Sequence, residues 1–135
     1  MFLQRDLQAQ ADHFANSKDP LLPPLPHIRI HALSAQATIR QAVERLAADP
    51  RPQRIILFGS QARGDATAGS DIDLLVIESE VTDRAAEMVR LRRLLGPLPA
   101  AFDLLVYTHQ EVERWGRDPG SVVYWALQEG RVLHG

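Results

Sequence analysis

The sequence holds no cysteine among its 135 residues, which excludes disulfides and thiolate metal sites and suits a cytoplasmic protein. It has no stretch near the ~18 consecutive apolar residues of a membrane span, so no membrane association is expected. Met1-Phe2-Leu3-Gln4-Arg5-Asp6 is not a basic start followed by an apolar run, so no signal peptide is expected. Positive charge is not in excess: the formal net charge is -2, which argues against bulk binding to a nucleic acid backbone. What remains is an ordinary globular composition, 45% hydrophobic and 24% charged, in a chain long enough for one domain with a real core.

Two regions differ in pattern. In residues 1–33, Leu3, Leu7, Ala11 and Phe14 fall at helical spacing and form a short amphipathic arm. Pro20, Pro23, Pro24 and Pro26 then interrupt regular structure, so this region reads as an arm and a proline-rich linker, either loosely packed or docking a partner. From residue 34 to 135 the pattern is that of a domain. Ser34 is the expected N-cap of a helix with Ala35, Ile39, Ala42, Val43 and Leu46 on one face, ending near Asp49-Pro50. Strands are expected at Arg54–Phe58, Ile72–Ile77 and Phe102–Tyr107, and a helix at Asp83–Leu95 stopped by Gly96-Pro97. Thr108-His109-Gln110-Glu111 has the form of a capping box, and Asp118-Pro119 places an N-cap before another helix. Gly130 ends that helix before a short Arg131-Val132-Leu133 segment. The fold class is α/β (α+β), a small mixed β-sheet flanked by helices.

The chemistry concentrates where two strands meet their loops. Asp71 and Asp73 lie at i and i+2, so they project from one side of a strand with Cβ atoms about 6–7 Å apart. That separation lets two carboxylates share hard cations such as magnesium, whose shell is completed by water or phosphate oxygens. Asp103 sits among Phe102, Leu104 and Val106 but points the other way; if the third strand lies beside the second, it joins Asp71 and Asp73. Three acids in one cleft repel one another without a cation, which is a physical reason to expect metal. Gly59-Ser60, leaving the first strand, can form the opposite wall. Glycine permits close backbone approach, the amides that follow attract phosphate, and Ser60 and Arg63 can add hydrogen bonds.

At these residues the chain resembles the minimal nucleotidyltransferase family of the DNA polymerase β-like superfamily. The shared signature is Gly59-Ser60, a ten-residue spacer, then Asp71-Ile72-Asp73, and the segment Val122–Leu133 is similar to the family's closing helix and strand. The resemblance covers residues 34–135 and implies the polymerase β-like fold, with AMP passing from ATP to an acceptor hydroxyl. It implies that Asp71, Asp73 and Asp103 are the catalytic metal ligands for Mg2+, two ions in number, and that Gly59, Ser60 and Arg63 bind the nucleotide. Small members of this family resemble antitoxins of toxin–antitoxin pairs that attach AMP to a HEPN-domain toxin, often on a tyrosine. A compact core leaves little chain to enclose a small acceptor, which favours a partner surface.

Two other functions compete with that protein adenylyltransferase. One is transfer to a small molecule of the aminoglycoside kind or to an RNA 3′ end. The other is a non-enzymatic antitoxin that neutralises by contact through its arm. His13, His27, His31, His109 and His134 show no metal spacing, and Trp115 and Trp125 are expected in core or interface. Arg84, Arg90, Arg92 and Arg93 make one helix locally basic, by default a solvated face.

Overall fold

The computed structural model describes residues 27–135. The expected arm at Leu3–Phe14 and the prolines at 20–26 lie outside the described residues. The chain divides after Ala37, and the unit Thr38–Gly135 carries the entire sheet. In order the elements are α1 (His27–Ala47), β1 (Arg54–Phe58), α2 (Ser60–Arg63), β2 (Ile72–Glu78), α3 (Arg84–Leu95), β3 (Phe102–Thr108), α4 (His109–Trp115), α5 (Val122–Glu129) and β4 (Arg131–His134). This is the mixed α/β class expected.

The sheet has four strands in the order β3-β2-β1-β4. β1 runs antiparallel to both β2 and β4, while β3 lies parallel to β2 after the α3 crossover. A parallel neighbour needs such a crossover because no tight turn can return the chain in the same direction. Both faces of the sheet are covered. Ile55, Leu57, Ile72, Leu74, Val76, Leu104 and Val106 pack with Ala42 and Leu46 of α1 and with Leu91 and Leu95 of α3. On the other face Ile56, Phe58, Leu75 and Ile77 pack with Ala126 of α5, flanked by Val112 of α4. Strands buried on both sides read as continuous apolar runs, which is why Arg54–Phe58 and Ile72–Ile77 show no alternation.

Helix ends show where local sequence rules hold. Asp83 caps α3, its side chain accepting from the Ala86 N–H, and Gly96 closes it with φ 65°. Thr108 and Glu111 form the full capping box at α4, each side chain accepting from the other's backbone N–H. Thr108→Ala is therefore expected to lower stability by about 1 kcal/mol, read as a shift of the urea midpoint at unchanged slope.

Two caps differ from expectation. α1 begins at His27, so Ser34 lies inside the helix rather than at its N-cap. An isolated serine among alanines costs a helix little, so the cap preference loses to propagation. The N-cap of α5 is Ser121, whose side chain accepts from the Val123 N–H, and not Asp118. Asp118 instead closes a turn, its side chain accepting from the Gly120 N–H at 2.9 Å and its carbonyl from the Ser121 N–H at 2.8 Å.

Three of the four arginines expected on a solvated face of α3 are engaged instead, and Arg93 stays exposed as expected. Arg84 donates to the Val106 carbonyl and to Glu111 and lies over the Tyr107 ring, Arg90 pairs with Asp49 and Glu87, and Arg92 donates to the Phe102 carbonyl. They tie α3 to β3, to α4 and to the segment after α1. Trp115 and Trp125 are exposed rather than in the core. Trp125 donates to the Pro119 carbonyl at 2.8 Å and meets Tyr124 edge-on.

Candidate functional site

The parallel register of β2 and β3 sets Asp73 directly beside Asp103. The Ile72 N–H donates to the Ala101 carbonyl at 2.9 Å, which aligns the entrances of the two strands. Asp73 has the parity of Leu75 and Ile77, so it stands on the α4/α5 face of the sheet, at its edge. Asp71, one residue before β2, and Asp103 are both exposed, while Asp73 is partly buried. Asp103 escapes burial although hydrophobes flank it, because Leu104 and Val106 turn into the opposite core.

The three carboxylates share one electrostatic neighbourhood. Burial, then Asp103, then Asp71 push the Asp73 carboxyl above the ordinary aspartate range, and Arg63 draws it partly back. Among the described residues no three acidic or histidine side chains converge into a finished metal cage. The donor set fits magnesium all the same, since this ion keeps waters and takes substrate oxygens rather than demanding an all-protein shell. A dication between these acids would relieve the repulsion that raises Asp73.

The wall facing Asp73 is Gly59. β1 and β2 pair so that Phe58 opposes Asp73, and the next residue turns away at φ 73°, ψ -156°. A Cβ on Gly59 would sit 2.1 Å from Asp73 Oδ2. The glycine is thus required by the carboxylate as well as by the turn. Ser60 begins α2, a single turn in which the Ala62 and Arg63 N–H groups both donate to the Gly59 carbonyl at 3.0 Å, so only the Ser60 and Gln61 N–H groups lack an acceptor within the turn. Gly64 ends α2 in the left-handed region at φ 89°. The loop returning to Asp71 is closed by Thr67 and Ser70, the Thr67 N–H donating to Ser70 Oγ at 2.8 Å.

Arg63 lies close enough to influence Asp73, but its guanidinium is engaged elsewhere. It donates to Glu129 Oε1 at 3.0 Å and to Asp65 Oδ2 at 3.4 Å, and the Glu129 bond chiefly raises its own pKa. Glu129, the last residue of α5, was not singled out by sequence, because no local pattern links positions so far apart in the chain. The six sequence-expected residues Gly59, Ser60, Arg63, Asp71, Asp73 and Asp103 accordingly gather at one end of β1, β2 and β3. Within that group Asp73 is the centre, touched by glycine on one side and paired with Asp103 on the other.

The solved structures similar to this chain include the following three. A protein from Sulfolobus solfataricus described as a nucleotidyltransferase is 27% identical, covering 60% of this chain and 78% of its own at TM-score 0.46. A toxin-antitoxin with AMP-PNP is 26% identical over 73% of this chain and 72% of its own, at TM-score 0.49. A toxin-antitoxin MntA-HpeT mutant is 25% identical over 74% and 72%, at TM-score 0.47. No curated protein sequence matches significantly. The family model for the nucleotidyltransferase domain matches residues 37–131. That match spans most of the chain and holds all six residues gathered at the end of the sheet, so the chain belongs to the nucleotidyltransferase domain family.

Proposed function

We propose that this protein transfers AMP from ATP to a hydroxyl, and that the hydroxyl is a tyrosine of a HEPN-domain toxin which the transfer neutralises. The transfer rests on one observation above the others: the register that sets Asp73 beside Asp103 while Gly59 packs against the Asp73 carboxylate. The finer identity of nucleotide and partner rests on the resemblance to minimal nucleotidyltransferases carried by Gly59-Ser60 and Asp71-Ile72-Asp73.

In this reading Ser60 and the N–H groups after Gly59 receive the triphosphate. Arg63 turns from Glu129 and Asp65 to the phosphate oxygens, since an exposed ion pair is weak beside a multiply charged anion. Mg2+ held by Asp71, Asp73 and Asp103 would supply neutralisation of the phosphates and a more acidic acceptor hydroxyl. Asp103, exposed at the strand entrance, is placed to accept the acceptor's proton. The bond formed joins the acceptor oxygen to the α-phosphorus, and the bond broken releases pyrophosphate.

A protein acceptor is supported by an exposed surface on the same face of the sheet, which begins at Tyr107, four residues along β3 from Asp103, about 13 Å. Trp115, Val122 and Trp125 are all exposed, and Tyr107, Trp115 and Val122 line a cavity of about 280 Å³ on the face that carries Asp73. Apolar exposure of this kind marks protein interaction surfaces. The test is to incubate the chain with its co-purified partner, magnesium and α-labelled ATP, then read intact masses. An AMP adduct on the partner, absent with Asp71→Ala or Asp73→Ala, supports the proposal. A complex that forms without any adduct sinks the transfer, and label on an aminoglycoside or an RNA 3′ end would move the acceptor.

A further inference from the structure

Two carboxylates hold the Arg63 guanidinium, and they are not equivalent. Asp65 lies just past the end of α2, its side chain 63% exposed and its contact with Nε long at 3.4 Å. Glu129 reaches across from the end of α5, its side chain only 25% exposed, and accepts from Nη1 at 3.0 Å. Arg63 is also the cation whose charge acts on Asp73. Glu129 and the acidic cleft therefore draw on the same guanidinium.

The backbone that carries Glu129 is seated on both sides. Ala126, one turn earlier in α5, is fully buried against Ile56 and Phe58 of β1 and Leu75 and Ile77 of β2. Gly130, the next residue, presses on β1. A Cβ there would lie 2.2 Å from the Ala126 carbonyl oxygen, 2.6 Å from Ile56 Cγ2 and 2.9 Å from the Leu57 carbonyl oxygen. Arg131 then pairs with Leu57 as β4 begins. Glu129 can shift only by turning its own side chain. Arg63 instead sits on a single turn between Gly59 and Gly64, with a long side chain that is exposed. The member of the pair that can leave is the arginine.

A triphosphate on the turn after Gly59 would compete with Glu129 for that guanidinium, since a multiply charged anion is the stronger acceptor. Resting on the nucleotidyl-transfer reading above, we propose that Glu129 is a positioning residue that sets nucleotide affinity by holding Arg63 until the triphosphate takes it. Any ligand that uses Arg63 must first break this pair, and the carboxylate left behind cannot follow. The effect is modest, because an exposed ion pair is weak in water, and it fades as salt screens the charges.

The measurement is calorimetry of the full chain with AMP-PNP and magnesium, at about 0.05 M and about 0.5 M salt. Glu129→Gln, which keeps the side-chain length, should bind about three- to fivefold more tightly at low salt, and less than about twofold more tightly at high salt. Asp65→Asn removes an equal charge from the longer and more exposed contact, and should change affinity by less than about twofold. On an Arg63→Gln background, itself a weaker binder, adding Glu129→Gln should bring no further gain. That cycle separates action through Arg63 from plain repulsion of phosphate. Equal or weaker binding by Glu129→Gln, beside a native chain that binds, overturns the proposal and leaves nucleotidyl transfer standing. A gain of the same size on the Arg63→Gln background also overturns it, because Glu129 would then act without the arginine. Absence of binding in the native chain and in every variant would overturn the transfer reading, and this proposal with it.

Discussion

Asparagine at position 73 is expected to lower the proposed AMP transfer by about 10²–10³-fold while leaving the protein at least as stable as the native chain. The two halves of that expectation have one cause. Asp73 stands beside Asp103 in register and near Asp71, and burial together with these two charges already disfavours its ionised form. An amide of the same shape removes one member of a like-charged set, so the folded state loses repulsion and keeps its packing against Gly59. For transfer the same change removes the central oxygen donor of the proposed metal set, and an amide oxygen holds a dication far more weakly than a carboxylate. Lost activity with retained or raised stability is the signature of a side chain kept for chemistry. Rates from labelled ATP and midpoints from urea unfolding read the two effects separately. A variant that transfers normally would remove Asp73 from the proposed metal set; one that is inactive only because it unfolds would leave the fold, not the chemistry, as Asp73's role.

Local structure was largely legible because its causes are local. The runs Arg54–Phe58, Ile72–Ile77 and Phe102–Tyr107 are apolar enough to be strands buried on both faces, and the structure places strands there. The capping box at Thr108 and the Asp83 and Gly96 ends of α3 follow from side chains that satisfy backbone groups within a few residues. The candidate site was legible for the same reason, since Gly59-Ser60 and Asp71-Ile72-Asp73 are short motifs with fixed spacing.

What escaped the sequence depends on contacts across the chain. The order β3-β2-β1-β4 decides that Asp103 stands beside Asp73, and the sequence could state this only as a condition. Glu129 as the partner of Arg63 needs the return of α5 to the sheet. Glu78 lies where strand residues turn polar, in Ile77-Glu78-Ser79-Glu80, and nothing local distinguishes a buried carboxyl from an exposed strand end. The Asp118 and Ser121 exchange shows the limit of cap rules. Both residues are competent, and the choice is made by where Val123 and Ala126 must stand to reach the core.

Alanine at position 59 is expected to damage both the fold and the chemistry, and a matched change at Gly64 isolates why. Gly59 sits at φ 73°, ψ -156°, a region that essentially only glycine occupies, so any side chain there strains the backbone. The added Cβ would also lie 2.1 Å from Asp73 Oδ2, closer than any contact allows, so either the turn or the carboxylate must move. Strain and overpacking together are expected to cost about 2–4 kcal/mol. Gly64 has φ 89° but no atom within 4 Å of an added Cβ. Gly64→Ala should therefore cost only the left-handed penalty, about 1–2 kcal/mol, and leave transfer close to native. Gly59→Ala, assayed at a temperature where it is fully folded by circular dichroism, should still transfer AMP at least tenfold more slowly, because the Asp73 carboxylate is displaced from Asp103. Equal activity of the two folded variants would mean that Asp73 tolerates the shift, and that Gly59 serves the turn alone. A deficit confined to Gly59→Ala would place the glycine in the site through its contact with the carboxylate, a role that its position between a strand and a short helix does not disclose.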